Sequence, residues 1–283
     1  MLKYFLKKNI FTNKMIGGEI KKKLCIVFVC NKAYFDKFIQ TCTQLITNGK
    51  YKGNICLVIG DDLYNDKLLY SDIIKNNNII IKYFPNIQFS KNFYKINKEI
   101  SGDGRNITKT FQWHKMHLFK LYFKQWRYIF YIDCGMIILR NISPMLNLVS
   151  ENTLLAHSDA YPSYKWKLNF QFSDESINSL SEINLVRRKL LERFNLDIDY
   201  FQTGIMLYDT NIIEEDTYNN LIELSHTYPI SKTNEQGIMN LYFNCIKNIW
   251  KQLPLKNNET NFYDYWCRDK KNTNYIIVKV KNW

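Results

Sequence analysis

The sequence predicts an α/β fold whose first half is a doubly wound nucleotide-binding unit, and three observations carry that prediction. Apolar, β-branched runs without polar alternation occur at Leu24–Cys30, Asn54–Ile59 and Tyr128–Ile132, the pattern of strands covered on both faces. Between the first two lies AYFDKFIQTCTQLI, where Tyr34, Phe38, Cys42, Leu45 and Ile46 recur at helical spacing. Each run is followed by a polar or acidic residue, namely Asn31, Asp61 after Gly60, and Asp133. In open α/β sheets ligands bind at those carboxyl ends.

Taken in order, residues 1–23 are polar, carry Gly17 and Gly18 and the cluster Lys21 to Lys23, and read as a loose arm before a domain spanning 24–283. Asn31 to Tyr34 form the turn from the first strand into the first helix. A short third strand is expected at Ile79–Tyr83, which completes a β-α-β-α-β opening of Rossmann-like type. No GxGxxG follows the first strand, so a dinucleotide site is disfavoured.

Ser101 to Thr110 reads as a polar loop and Phe111 to Trp126 as a helix, with Trp113, Met116, Phe119, Leu121 and Phe123 apolar and Lys115 near its start. His114 and His117 stand three apart without a carboxylate at zinc-protease spacing, so a helix surface is their expected place. The helix feeds the Tyr128–Ile132 strand, which delivers Asp133 to its end. Cys134 and Gly135 turn the chain there, and Ile137 to Leu139 resume a strand that stops at Asn141, Ser143 and Pro144. Asp133 alone is as readily a turn cap as a ligand-site residue.

Beyond it, His157, Ser158, Asp159 and Tyr161 make a polar cluster beside a buried strand. A helix is expected over Ser173 to Phe194, with Glu182, Arg187, Arg188, Lys189 and Glu192 on a solvated face. DYFQTGIMLYDT reads as a strand that exposes Gln202 and Thr203 ahead of Gly204, which allows close backbone approach. TNEQGIMNLYF opens a helix capped by Thr233 or Asn234, with Glu235 and Gln236 in a first turn that favours carboxylates.

Composition narrows the function classes. A net charge of +13 suits a polyanionic partner, but the lysines are scattered and no groove-reading helix or aromatic-basic platform stands out, which argues against nucleic acid. Lys, Asn, Ile, Tyr and Phe are abundant together, and their codons are rich in A and T, so part of the charge reflects coding bias. Seven cysteines, none in a CxxC pair and most inside apolar runs, read as buried free thiols of a reducing compartment. Sequons at Asn106, Asn141 and Asn258 carry meaning only behind a secretory signal, and lysines interrupt the opening residues before an apolar region forms. No apolar run has the length that spans a bilayer, and a cytoplasmic chain is expected.

The motifs, in their order, resemble a known family. C-N-K-A-Y (Cys30 to Tyr34) is similar to T-N-D-A-Y, K-M-H-L-F (Lys115 to Phe119) to K-L-H-C-W, and Y-I-D-C-G-M (Tyr131 to Met136) to the DxD stretch M-D-A-D-T. Y-F-Q-T-G-I-M-L is similar to C-F-N-S-G-V-F, and N-E-Q-G-I-M-N-L-Y-F to D-Q-G-L-L-N-T-F-F. Together they resemble the glycogenin-like retaining glycosyltransferases (family 8 type) of GT-A fold, from about Leu24 to the C-terminus. The resemblance implies a single GT-A-like domain, with a mixed central sheet flanked by helices.

It also implies roles. Asn31 and Tyr34 would hold the nucleoside, Asp133 the ribose or a metal, and Lys115 and Lys281 the phosphates. Glu235 and Gln236 would face the anomeric carbon. Gln202 is a further catalytic candidate, as is Asp159, which in the polar cluster either caps a turn or stands against the donor-sugar hydroxyls. The family's Mn²⁺ or Mg²⁺ has three protein ligands, of which this chain keeps Asp133. Gly135 stands at the second aspartate, and the ending Y-I-I-V-K-V-K-N-W lacks the histidine of H-F-x-G-x-x-K-P-W. One carboxylate holds a hard cation weakly.

The chemistry makes its own demands. A nucleotide sugar breaks when negative charge can gather on the departing diphosphate, so a cation must face those oxygens, and Lys115, Lys279 and Lys281 are candidates. The expected activity is transfer of a hexose from a nucleotide-sugar donor, UDP-linked, to a hydroxyl of a glycan, protein or small-molecule acceptor, with retention. The chain is expected to work alone or as a homodimer. Alternatives are a sugar-nucleotide-binding protein that has lost turnover and a basic nucleic-acid-binding protein.

Overall fold

The structure, a computed structural model, describes residues 24–100, 107–158, 160–161, 165–173, 182–257, 259–265 and 274–279. The arm expected over 1–23, the candidates Asp159 and Lys281, the sequons Asn106 and Asn258, and Cys267 lie outside the described residues. So do 101–106, most of the loop expected before Phe111.

Strands β1 (Leu24–Cys30), β2 (Asn54–Ile59), β3 (Ile80–Tyr83) and β4 (Tyr128–Ile132) are mutually parallel, and β7 (Ile205–Asp209) adds antiparallel to β4. With β6 (Leu154–Ala156) and β8 (Trp250–Gln252) they form a seven-stranded mixed sheet, ordered β3-β2-β1-β4-β7-β6-β8. The mixed α/β architecture expected from the sequence is the one observed. Cys25, Val27 and Val29 enter one core and Leu24, Ile26, Phe28 and Cys30 the other, because alternate residues of a strand point to opposite faces. Both faces are covered, hence the absence of polar alternation in these runs.

Helix α1 (Phe35–Thr47) packs Phe35, Phe38, Cys42 and Leu45 on the second of those faces. Helices α2 (Asp72–Asn76) and α3 (Lys91–Ile100) follow β2 and β3. The helix expected at Phe111–Trp126 is instead 3₁₀, running Ile107–Phe119 and then Leu121–Gln125. Trp113 through Phe119 are buried without interruption, so the segment has no solvent side that would reward a 3.6-residue amphipathic period.

His114 and His117 are therefore not on a surface. At three residues per turn, i and i+3 eclipse, and Phe111, His114 and His117 form a row in which half-buried Phe111 stacks on buried His114 and His114 meets buried His117 edge to face, with ring centroids 4.6 and 4.4 Å apart. Their Nε2 atoms lie 3.1 Å from the carbonyl of Ile59, the last residue of β2, and 3.2 Å from that of Pro85, just beyond β3. Burial pushes their pKa values down to about 4 and about 2.

After β4, strand β5 (Ile137–Ile138) leaves the main sheet and pairs antiparallel with β10 (Tyr275–Lys279), which pairs parallel with β9 (Asn261–Tyr265). This small sheet brings Lys279 beside the β4 end. The rest is helical: α4 (Ser143–Leu146), α5 (Glu182–Arg193), α6 (Thr217–Thr227) and α7 (Glu235–Asn240), the last continued by a π turn at Leu241–Ile246. Ser173 is not helical, since its N–H bonds the Ile230 carbonyl; on α5 Glu182, Arg188, Lys189 and Glu192 are exposed as expected, whereas Arg187 is half-buried and donates to Asn169 Oδ1.

Candidate active site

The centre of the site is a lysine between two carboxylates. Parity sets it up: Tyr131 and Asp133 share one face of β4 and its extension, the face that the Trp113–Phe119 segment covers. Lys115 Nζ lies 3.0 Å from Asp133 Oδ1 and 3.0 Å from Glu235 Oε1. It also lies 3.3 Å from Thr203 Oγ1 and 3.4 Å from the Thr203 carbonyl, so four oxygens surround an ammonium with three protons. The Tyr131 hydroxyl donates to Asp133 Oδ1, and the Tyr131 ring lies 5.5 Å from Nζ. Lys279 Nζ approaches Asp133 Oδ2 at 3.7 Å.

These charges tune one another. Burial alone would lower the Lys115 pKa, but Asp133 and Glu235 outweigh it and raise the ammonium above the ordinary lysine value. Burial pushes Asp133 up, yet Lys115, Lys279 and the Tyr131 hydroxyl together hold it below the usual carboxylate range. Glu235 goes the other way. Its side chain is 2% exposed, and burial outweighs Lys115 and the Thr203 hydroxyl, which donates to Oε1 at 2.7 Å. Its second oxygen, Oε2, is buried without a hydrogen-bond partner among the described residues. A glutamate raised above its ordinary value, with one oxygen unengaged, is suited to handling a proton or a developing positive charge.

The start of α7 is held by its surroundings rather than by a cap. Neither Thr233 nor Asn234 gives its side chain to the first turn: Thr233 Oγ1 donates to Gln171 Oε1, and Asn234 Nδ2 to Gln112 Oε1. Asn234 sits at φ +56°, ψ −127°, a strained backbone of the sort that persists where neighbours over-determine it. Gln236 Oε1 accepts from the Thr203 N–H at 3.1 Å, and its Nε2 donates to Gln171 Oε1 at 2.7 Å.

An open cavity lies over the carboxyl ends of β1 and β4. Val29, Asn31, Tyr34, Phe111, Gln112, Lys115, Tyr131, Asp133, Cys134 and Lys279 line it, so four of the five sequence-nominated nucleotide residues meet in one place. Asn31 Oδ1 caps the turn by accepting from the Tyr34 N–H at 3.2 Å; Tyr34 is 42% exposed, with Lys37 Nζ 5.0 Å from its ring centroid.

Gln202 and Thr203 are buried rather than exposed. Gln202 donates from its backbone to the His157 carbonyl at 2.8 Å, and its Nε2 lies 3.0 Å from His157 Nδ1. It is outside the lysine cluster but close by: a Cβ on Gly204 would stand 3.5 Å from Asp133 Oδ2 and 3.6 Å from Gln202 Oε1. Sequence reading did not nominate Tyr131, Gln112, Phe111 or Gln171. A hydroxyl two residues before Asp133 in an otherwise apolar strand was the available signal for Tyr131, and a glutamine one 3₁₀ turn before Lys115 for Gln112.

Among the described residues the fit to the divalent ion of the resembled family is poor. Among the described residues no three His, Cys, Asp or Glu side chains converge as a metal site. Gly135, where that family has its second aspartate, turns at φ +94°, a conformation that L side chains rarely adopt.

No family model matches the chain, and no curated protein matches it. Solved structures do. The apo structure of the bifunctional glycosyltransferase WbbM is similar over 93% of this chain, with TM-score 0.57 and 16% identity, and the chain spans 46% of that one. The mannosyltransferase Ktr4p of S. cerevisiae, in complex with GDP, is similar over 83% of this chain and 70% of its own, with TM-score 0.52 and 12% identity. The chain thus shares its fold with glycosyltransferases.

Proposed function

We propose that this protein is a glycosyltransferase that moves a hexose from a nucleotide-sugar donor to an acceptor hydroxyl with retention. The observation that carries the reading is the meeting of Asn31, Tyr34, Asp133 and Lys279 in one cavity at the carboxyl ends of β1 and β4. There the ends of two adjacent parallel strands make a crevice for a nucleotide. The Tyr34 ring offers a face to the base, Asn31 and Asp133 offer hydrogen-bonding groups to the nucleoside, and Lys279 faces the diphosphate.

In the transfer, the anomeric carbon loses its bond to the diphosphate oxygen and gains one to the acceptor oxygen, while the acceptor's proton passes to the departing diphosphate, which takes the electron pair of the broken bond. Glu235 answers the positive charge on the sugar ring, and Gln236, tied to Thr203 and Gln171, keeps that turn in position. A UDP-linked donor follows from the resemblance, and the GDP bound to the mannosyltransferase of similar fold puts GDP sugars in the same test. The buried free thiols of Cys25, Cys30, Cys42, Cys56 and Cys134 support residence in a reducing compartment, and no helix among the described residues is long and apolar enough to cross a membrane.

A second reading, donor binding without turnover, draws on Gly135 and the engaged state of Lys115. A thermal-unfolding screen of UDP- and GDP-sugars tests donor binding first. A bound donor in about hundredfold excess over its Kd stabilises the fold by about 2.7 kcal/mol, and no shift with any member would count against both readings.

A further inference from the structure

We propose that Lys115 takes the place of the divalent cation, and that Lys279 is the cation which meets the donor diphosphate. The inference deepens the glycosyltransferase reading and rests on it for the role of Lys279. Four oxygens, Asp133 Oδ1, Glu235 Oε1, Thr203 Oγ1 and the Thr203 carbonyl, converge on one Nζ at 3.0 to 3.4 Å. An oxygen cage that includes two carboxylates is the donor set that a hard divalent ion seeks, and here an ammonium fills it.

The charges close as well. Asp133 and Glu235 contribute two negative charges, and Lys115 and Lys279 two positive ones, which sum to zero. A divalent ion added to this cluster would leave two positive charges uncompensated in a largely buried place. The turn after Asp133 agrees, because Gly135 at φ +94° disfavours the carboxylate that would draw a metal.

The two lysines are not equivalent. Lys115 is 7% exposed, and its four acceptors already exceed its three protons. It holds two carboxylates in register and has no N–H to spare for a phosphate. Lys279 has a 26% exposed side chain and, among the described residues, one carboxylate contact, at 3.7 Å, and it lines the cavity beside Asn31 and Tyr34. Its ammonium keeps donors free for diphosphate oxygens.

The test is a pair of titrations. UDP and GDP are titrated by calorimetry into the parent chain and Lys279→Ala, in EDTA and in Mn²⁺. The parent should bind one of them with affinities that differ by less than about threefold between the two conditions, and Lys279→Ala should lose about tenfold or more. Tightening of the parent by about tenfold or more in Mn²⁺ would overturn the proposal, as would wild-type affinity in Lys279→Ala.

Mn²⁺ alone is then titrated, by electron paramagnetic resonance of the free ion, into the parent and Lys115→Met. The parent should take up none at concentrations where Lys115→Met, its oxygen cage vacated, binds one ion and gains thermal stability from it. Uptake by the parent overturns the lysine assignment. Should Lys115→Met fail to fold without metal, refolding of the variant in Mn²⁺ but not in EDTA supports the same conclusion, and failure in both overturns it. This second titration uses no nucleotide, so what it shows of Lys115 is independent of donor binding. Failure of UDP and GDP to bind the parent in either condition would remove the glycosyltransferase reading and the Lys279 assignment with it.

Discussion

Lys115 and Glu235, 120 positions apart in the chain, meet at 3.0 Å in a place where the lysine is 7% and the glutamate 2% exposed. A buried pair of this sort is costly to break, because removing one partner leaves an uncompensated charge. Lys115→Met should therefore lower unfolding stability by about 3–5 kcal/mol in urea, measured without added metal. The double variant Lys115→Met with Glu235→Gln should recover part of it. A loss of under about 1 kcal/mol would mean that solvent reaches the cluster and screens it.

Asp133 makes the stability depend on pH in a defined direction. Its pKa in the fold is lowered by Lys115 and Lys279, so its stabilising contribution is present above the ordinary carboxylate value and is lost as pH falls through the depressed one. Parent and Asp133→Asn should thus differ most at neutral pH and converge in acid. A gap in urea midpoints that widens on acidification would contradict the charge assignment.

Much of this site was legible in the sequence, and the illegible part has physical reasons. The buried runs announced β1, β2 and β4, and the residues that follow them, Asn31 and Asp133, stand at the crevice as expected. What misled was the assumption that a helical stretch is α-helical and has a wet side. Trp113 to Phe119 is 3₁₀ and sealed all round, which turned two expected surface histidines into carbonyl-bonded core residues. The pairing of Lys115 with Glu235 joins two distant segments and leaves no local pattern. Lys279 needed the second sheet, whose strands β5 and β10 are 137 residues apart at the Ile138 and Tyr275 ends.

Tyr34 tests the base-binding face. The residue is 42% exposed, so Tyr34→Ala should leave the unfolding midpoint near that of the parent while weakening the bound nucleoside diphosphate by about 1–2 kcal/mol. Unchanged affinity by calorimetry would move the base elsewhere in the cavity.

Gly135 tests the turn. Gly135→Asp puts a Cβ on a backbone at φ +94° and should cost about 1–2 kcal/mol of stability without bringing Mn²⁺ to the parent cluster. Metal uptake by this variant with Lys115 intact would show that the lysine does not exclude the ion.

In the proposed transfer Glu235 carries the chemistry. Because burial holds it above the ordinary glutamate value, turnover should decline as pH falls toward a midpoint higher than that of a free glutamate, and Glu235→Gln should remove that acid limb. The substitution should lower turnover far more than donor affinity, since charge on the sugar develops only on the way to the transition state.

The most direct measurement follows the donor itself. The parent chain is incubated with each nucleotide sugar that protects it from unfolding, in EDTA and in Mn²⁺, and the anomeric proton signals are followed by nuclear magnetic resonance. A metal-independent retaining transferase should release the nucleoside diphosphate in both conditions, give a product of unchanged anomeric configuration, and react far more slowly in Glu235→Gln. Binding without consumption of any donor, in EDTA and Mn²⁺ alike and with simple sugar acceptors supplied, would contradict it.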